Sequence, residues 1–150
     1  MLDSGLTFLL YLVVKYAAYT GWCYVGIRWL GARPATLRSA LGAGLVRLLL
    51  GVFFGLGIFL MGGSLHWNMP RYPWLSYLAV YAPVRWVEWS ILSLVVAGRP
   101  HSFGTFVFGF SRRERLWRLG GIVVSHLADI PLILLSGGVK EMLPVGRFLC

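Results

Sequence analysis

Acidic side chains are scarce in this 150-residue sequence: 5 Asp and Glu stand against 14 Lys and Arg, for a net charge of +9. Charge of either sign amounts to 13% of residues, about half the share carried by soluble domains. That deficit excludes an ordinary soluble globular domain. Only 2 cysteines are present, Cys23 and Cys150, with no Cys-x-x-Cys pair, which excludes the paired-thiol redox enzymes. The 3 histidines (His66, His101 and His126) share no ligand spacing with either cysteine, so neither a metal nor another cofactor is expected. Nucleophile-elbow, zinc-helix, phosphate-loop and dinucleotide glycine motifs are all missing, and no family signature is legible.

What is there is apolar: 58% of residues are hydrophobic. They fall into four runs, at about 6–27, 40–62, 74–97 and 116–136. Each is long enough to cross a hydrocarbon core of ~30 Å as a helix rising ~1.5 Å per residue. Lipid cannot satisfy a bare backbone, and the runs lack the alternation of barrel strands, so helices are expected. The fold class is an all-α integral membrane protein, a single transmembrane domain over 1–150 built as a bundle of four transmembrane helices. The stretches 11–34 and 77–100 share Tyr-Leu-x-Val at the start and Arg-Pro at the end. This weak repeat suggests two parallel helical hairpins.

Turn chemistry punctuates the runs. Gly31-Ala32-Arg33-Pro34 closes the first and Ser39 is the expected cap of the second. Gly62-Gly63-Ser64 closes the second and Gly98-Arg99-Pro100 the third. The segment 99–115 carries Phe103, Phe106, Phe108 and Phe110, then Arg112, Arg113 and Arg115. Aromatics beside basic residues suit an interfacial loop, folded as a short hairpin or an amphipathic helix on the surface.

Basic residues set the expected orientation. Arg28, Arg33 and Arg38 mark one connection; Arg99, Arg112, Arg113, Arg115 and Arg118 mark another; the connection between them holds only Arg71. Loops 28–39 and 98–118 are therefore assigned to the cytoplasm, with both termini outside and Trp67, Tyr72 and Trp74 in the outer aromatic belt. No cleaved signal is expected, since the first residues hold Asp3 and no base, and Lys15 interrupts the first run. The reading is of a bacterial inner membrane or its equivalent. The positive charge is attributed to orientation and to anionic lipid headgroups rather than to nucleic acid, for which no recognition motif is present.

Every run holds ionisable residues near its middle: Lys15, then Arg47, then Arg85 and Glu88, then His126 and Asp129. A charge at the bilayer centre costs ~2.5–3.5 kcal/mol on insertion scales, so each should face protein and find a partner. Depth along the helices pairs Arg47 with Glu88, and Asp129 with Lys15 or Arg85. The charges lie on coherent faces: Tyr11, Lys15, Tyr19 and Trp22; Tyr81, Arg85, Glu88 and Trp89; Arg118, Gly121, Ser125 and Asp129, with His126 at the edge. Arg47 shares its face with Gly44, Gly51, Gly55 and Gly62, the small residues that let helices approach. Pro83 and Pro131 fall beside the charges, where each frees a backbone acceptor and can kink its helix.

With three cations against two carboxylates, an anion fits the cluster. The leading expectation is a membrane-embedded enzyme or binder, a transferase or hydrolase, acting on an anionic lipid or lipid-linked substrate. Lys15, Arg47, Arg85, Tyr19, Tyr81 and Ser125 would bind it. His126 would serve as base or nucleophile with Asp129 and Glu88 as acid–base or orienting groups. A small transporter or flippase, or an ion- or proton-coupled carrier, working as an oligomer, or a non-catalytic subunit paired through its charges to a partner membrane protein, would use the same residues differently.

Overall fold

In a computed structural model of the chain, residues 4–31, 34–65, 73–98 and 102–135 are described. Every regular element among them is an α-helix: α1 Ser4–Leu30, α2 Leu37–Leu65, α3 Pro73–Ala97, α4 Phe103–Phe108 and α5 Arg112–Leu135. Gly31 and Gly98 end α1 and α3 in the left-handed conformation (φ 67° and 59°). Their N–H groups donate back to the carbonyls of Ile27 and Leu94, the single-bond glycine stop that leaves no side chain strained.

The cap of α2 is Thr36 and not Ser39. The Thr36 hydroxyl accepts from the Ser39 N–H at 3.1 Å, and the Ser39 hydroxyl accepts from the Thr36 N–H at 3.2 Å. This reciprocal box starts the helix three residues before the apolar run does. At its far end α2 continues through Gly62, Gly63 and Ser64 to Leu65, because glycine weakens a helix without forbidding it. α3 and α5 likewise run on through Pro83 and Pro131.

The Phe-rich connection is more structured than a loop. Ser102 caps α4, and Gly109 (φ 76°) turns the chain into α5. α5 begins at Arg112, four residues earlier than its apolar run. Ser111 caps it, its hydroxyl accepting from the Glu114 N–H at 3.2 Å. Ser-x-x-Glu is the sequence form of a helix start.

Three of these helices are long and apolar enough to cross a membrane: Phe8–Leu30, Leu37–Ile58 and Leu78–Ala97. α5, although 24 residues long, is not among them. Its first two turns carry Arg112, Arg113, Glu114, Arg115 and Arg118, and His126 and Asp129 follow. α1 packs against α2 and α5, α3 packs against α5 and α2, and α4 lies on α3.

Close approach is built on glycine. A Cβ on Gly44 would lie 2.4 Å from Thr20 Oγ1 and 3.0 Å from its Cα, so α2 sits against the α1 backbone. A Cβ on Gly121 would enter the Trp89 indole, at 2.4 Å. α1 and α5 are clasped by two tryptophans: Trp22 Nε1 donates to the Trp117 carbonyl (2.9 Å) and Trp117 Nε1 to the Trp22 carbonyl (3.1 Å).

The distribution of polarity is inverted relative to a water-soluble protein. Val13, Leu49, Phe53 and Leu127 point outward, while Lys15, Arg47, Arg85, Glu88, Glu114, Arg118 and Asp129 are buried. An outer surface of this kind is stable against lipid, where apolar side chains face the solvent and charges must turn inward. The belt residues Trp67 and Tyr72, the histidines His66 and His101, the bases Arg33, Arg71, Arg99, Lys140 and Arg147, and Cys150 lie outside the described residues.

Candidate functional site

Three helices meet at Asp129. Its Oδ1 accepts from Lys15 Nζ at 2.8 Å and from the Tyr11 hydroxyl at 2.8 Å. Its Oδ2 accepts from Arg85 Nη2. Lys15 also donates to the Tyr11 hydroxyl at 2.6 Å. The sequence offered Lys15 or Arg85 as the partner of Asp129; the carboxylate takes both, because its two oxygens face different helices. The Tyr11 and Tyr81 rings carry the cations: Lys15 Nζ lies 5.0 Å from the Tyr11 centroid and Arg85 Cζ 5.9 Å from that of Tyr81, within cation–π range.

About one turn toward the α1–α2 connection lies the second pair. Arg47 Nη2 donates to Glu88 Oε2 at 2.6 Å and to Ser125 Oγ at 3.3 Å. Its guanidinium packs on Tyr19 (4.6 Å) and Trp89 (5.3 Å), and Trp89 Nε1 reaches Ser125 Oγ at 3.2 Å. Ser125 thus joins α2 and α3 through one hydroxyl. Tyr19, Arg47 and Glu88 are fully buried. Four of their polar atoms find no hydrogen-bond partner among the described residues: Arg47 Nε and Nη1, Glu88 Oε1 and the Tyr19 hydroxyl. Buried groups in this condition are uncommon in folded proteins.

His126 is half-buried at the edge of the cluster, within electrostatic reach of Arg85, Asp129 and Lys15. The structure therefore gathers Lys15, Tyr19, Arg47, Tyr81, Arg85, Glu88, Ser125 and Asp129 in one buried region, with His126 beside it. Among the described residues this region holds three cations and two carboxylates. No three His, Cys, Asp or Glu side chains among them converge as metal ligands.

A third polar cluster, nearer the α4 end, escapes the sequence reading. Arg118 is fully buried. It donates from Nε to Glu114 Oε1 (3.0 Å), from Nη1 to Ser90 Oγ (2.7 Å) and the Phe106 carbonyl (2.6 Å), and from Nη2 to Ser93 Oγ (3.0 Å). Glu114 Oε2 accepts from the Phe110 N–H at 2.6 Å. Trp86 Nε1 adds a bond to the Val107 carbonyl at 2.8 Å. Burial pushes the Glu114 carboxyl up, but the Phe110 N–H, the Ser93 hydroxyl and the Arg118 guanidinium outweigh it and hold it below its ordinary range. This cluster fixes α4 onto α3 and α5. The sequence places Arg118 on the same helix face as Ser125 and Asp129, and it is buried there, but that face does not name its partners; the signal for them is Ser111-x-x-Glu114 followed by Arg118 at i+4 from the glutamate.

Comparison with protein-family models, with curated proteins and with solved structures finds no match to this chain. The functional reading rests on the residues themselves.

Proposed function

We propose that this chain is a membrane-embedded enzyme or binder acting on an anionic lipid or lipid-linked substrate, with the site in the middle of a four-span bundle. The observation that carries this reading is the buried, cation-rich cluster in which Arg47 uses only one of its three nitrogens. An anion brought there meets pre-placed donors in a medium of low dielectric, where each contact is stronger than in water. Lys15 and Arg85, held by Asp129, supply the remaining positive charge. His126 is the general base or nucleophile of a transferase or hydrolase step, and Glu88 the acid–base group nearest Arg47.

In this reading α5 is the fourth span, inserted with its charges turned toward α1 and α3, and the helices form two hairpins. The exposed bases Arg28, Arg38, Arg112, Arg113 and Arg115 occupy one end of the bundle, since α1 ends and α5 begins there. That end faces the cytoplasm of a bacterial inner membrane, and both termini lie outside.

Native mass spectrometry on the detergent-purified protein tests the proposal. A monomer or small homo-oligomer retaining one defined anionic lipid, with retention lowered by Arg85→Met, is the expected result. A chain that arrives without lipid, or only with a second polypeptide, would transfer the reading to a carrier or to a subunit of a membrane complex.

A further inference from the structure

The open atoms beside Arg47 are of two kinds, and this narrows the ligand. Arg47 Nε and Nη1 are donors in need of acceptors; Glu88 Oε1 is an acceptor in need of a donor; the Tyr19 hydroxyl serves as either. All belong to fully buried residues. A bare phosphodiester would satisfy the donors alone and would press its charge against the open carboxylate oxygen. A headgroup that carries a hydroxyl next to its phosphodiester satisfies both sides, its phosphate oxygens accepting from Arg47 and its hydroxyl donating to Glu88 Oε1.

Charge narrows the class further. Among the described residues the surplus in the cluster is one positive charge (Lys15, Arg47 and Arg85 against Glu88 and Asp129). A monoanion cancels it. A zwitterionic headgroup, whose ammonium could serve Glu88, would leave it uncompensated at a depth where uncompensated charge is costly.

We infer that the Arg47–Glu88–Tyr19 site takes a monoanionic phosphodiester bearing a neighbouring hydroxyl, the headgroup chemistry of a polyol phospholipid such as phosphatidylglycerol. The inference rests on the anionic-lipid reading above and specifies its ligand. Glu88 supplies the selectivity and Arg47 the affinity.

The test compares four probes on the delipidated full-length protein in detergent, with dissociation constants read by native mass spectrometry. They are short-chain phosphatidylglycerol, phosphatidylmethanol (equal charge, no hydroxyl), phosphatidylcholine (no net charge) and soluble glycerophosphoglycerol. Phosphatidylglycerol should bind about tenfold tighter than phosphatidylmethanol, the worth of one hydrogen bond to a charged group. In Glu88→Gln that gap should shrink to about threefold or less, as expected for a neutral acceptor. If this variant does not fold, the comparison on the native chain decides alone. Displacement by glycerophosphoglycerol at similar concentrations would uphold the headgroup chemistry and assign a soluble ligand. Equal binding of phosphatidylglycerol and phosphatidylmethanol would overturn the inference and leave the anion site standing. Failure of both to exceed phosphatidylcholine would overturn the site as well.

Discussion

Two buried arginines in this protein are each paired with a glutamate, yet they are built for different ends. Arg118 spends all three nitrogens on Glu114, Ser90, Ser93 and the Phe106 carbonyl. Arg47 binds Glu88 and Ser125 through Nη2 alone. A fully satisfied buried ion pair fixes a geometry; one left partly open marks a place where something else can bind. The contrast separates a structural latch from a candidate ligand site without reference to any related protein.

The largest effect is expected at the latch. Arg118→Met leaves Glu114 buried without its cation and should lower stability in detergent by about 3–5 kcal/mol, read by denaturant unfolding. The matched double variants sharpen the comparison. Arg118→Met with Glu114→Gln should still cost about 2–4 kcal/mol, because two serines and a backbone carbonyl lose their donor. Arg47→Met with Glu88→Gln should cost no more than about 1–2 kcal/mol, since the pair is removed together, while retention of an anionic lipid falls at least tenfold. Equal stability losses in the two doubles would erase the distinction.

A packing variant tests the frame that holds both. Gly121→Ala places a methyl inside the Trp89 indole and should cost about 1–3 kcal/mol as overpacking. Trp89 also touches Arg47 and Ser125, so lipid retention should weaken with it. Full retention alongside lost stability would detach the site from that contact.

The smallest effect is a pH dependence at the latch. Because Glu114 titrates below its ordinary range when folded, its contribution is present above the unfolded glutamate pKa of about 4.3 and is lost as pH falls through the folded value. Protection of the α4 amides, relative to their intrinsic exchange rate at each pH, should therefore fall below about pH 4, the region where glutamate takes up its proton, and Glu114→Gln should flatten the profile. Protection that is unchanged down to about pH 3 would show that the carboxylate does not hold α4.

Much of this was legible in the sequence, and the gaps have physical causes. Apolar runs located the long helices because lipid and core alike demand apolar side chains over a helix length. The three spans α1, α2 and α3 carry hydropathy enough to stand on that evidence. α5 does not stand on that evidence, because its charged residues lower its hydropathy, and within the fold Asp129 meets its partners on α1 and α3. Depth and helical face brought Arg47 to Glu88 and placed Asp129 among the cations, because i, i+3 and i+4 spacing fixes a shared face. Boundaries slipped where short polar motifs overrode hydropathy, at Thr36 before α2 and Ser111 before α5. The helical face of Arg118 was legible, but its partners were not, because the Phe106 carbonyl reaches it only once α4 folds back over α5.

Asp129 also has a bearing on how the protein is made. Its carboxylate joins α1 and α3, yet it lies on α5, which follows both in the chain. A ribosome delivers Lys15 and Arg85 to the membrane well before the group that neutralises them. The nascent chain must therefore pass through a stage in which two helices are inserted but ionically incomplete. A chain stopped after α3 should be recognised as an orphan and degraded, and separately expressed α5 should rescue it.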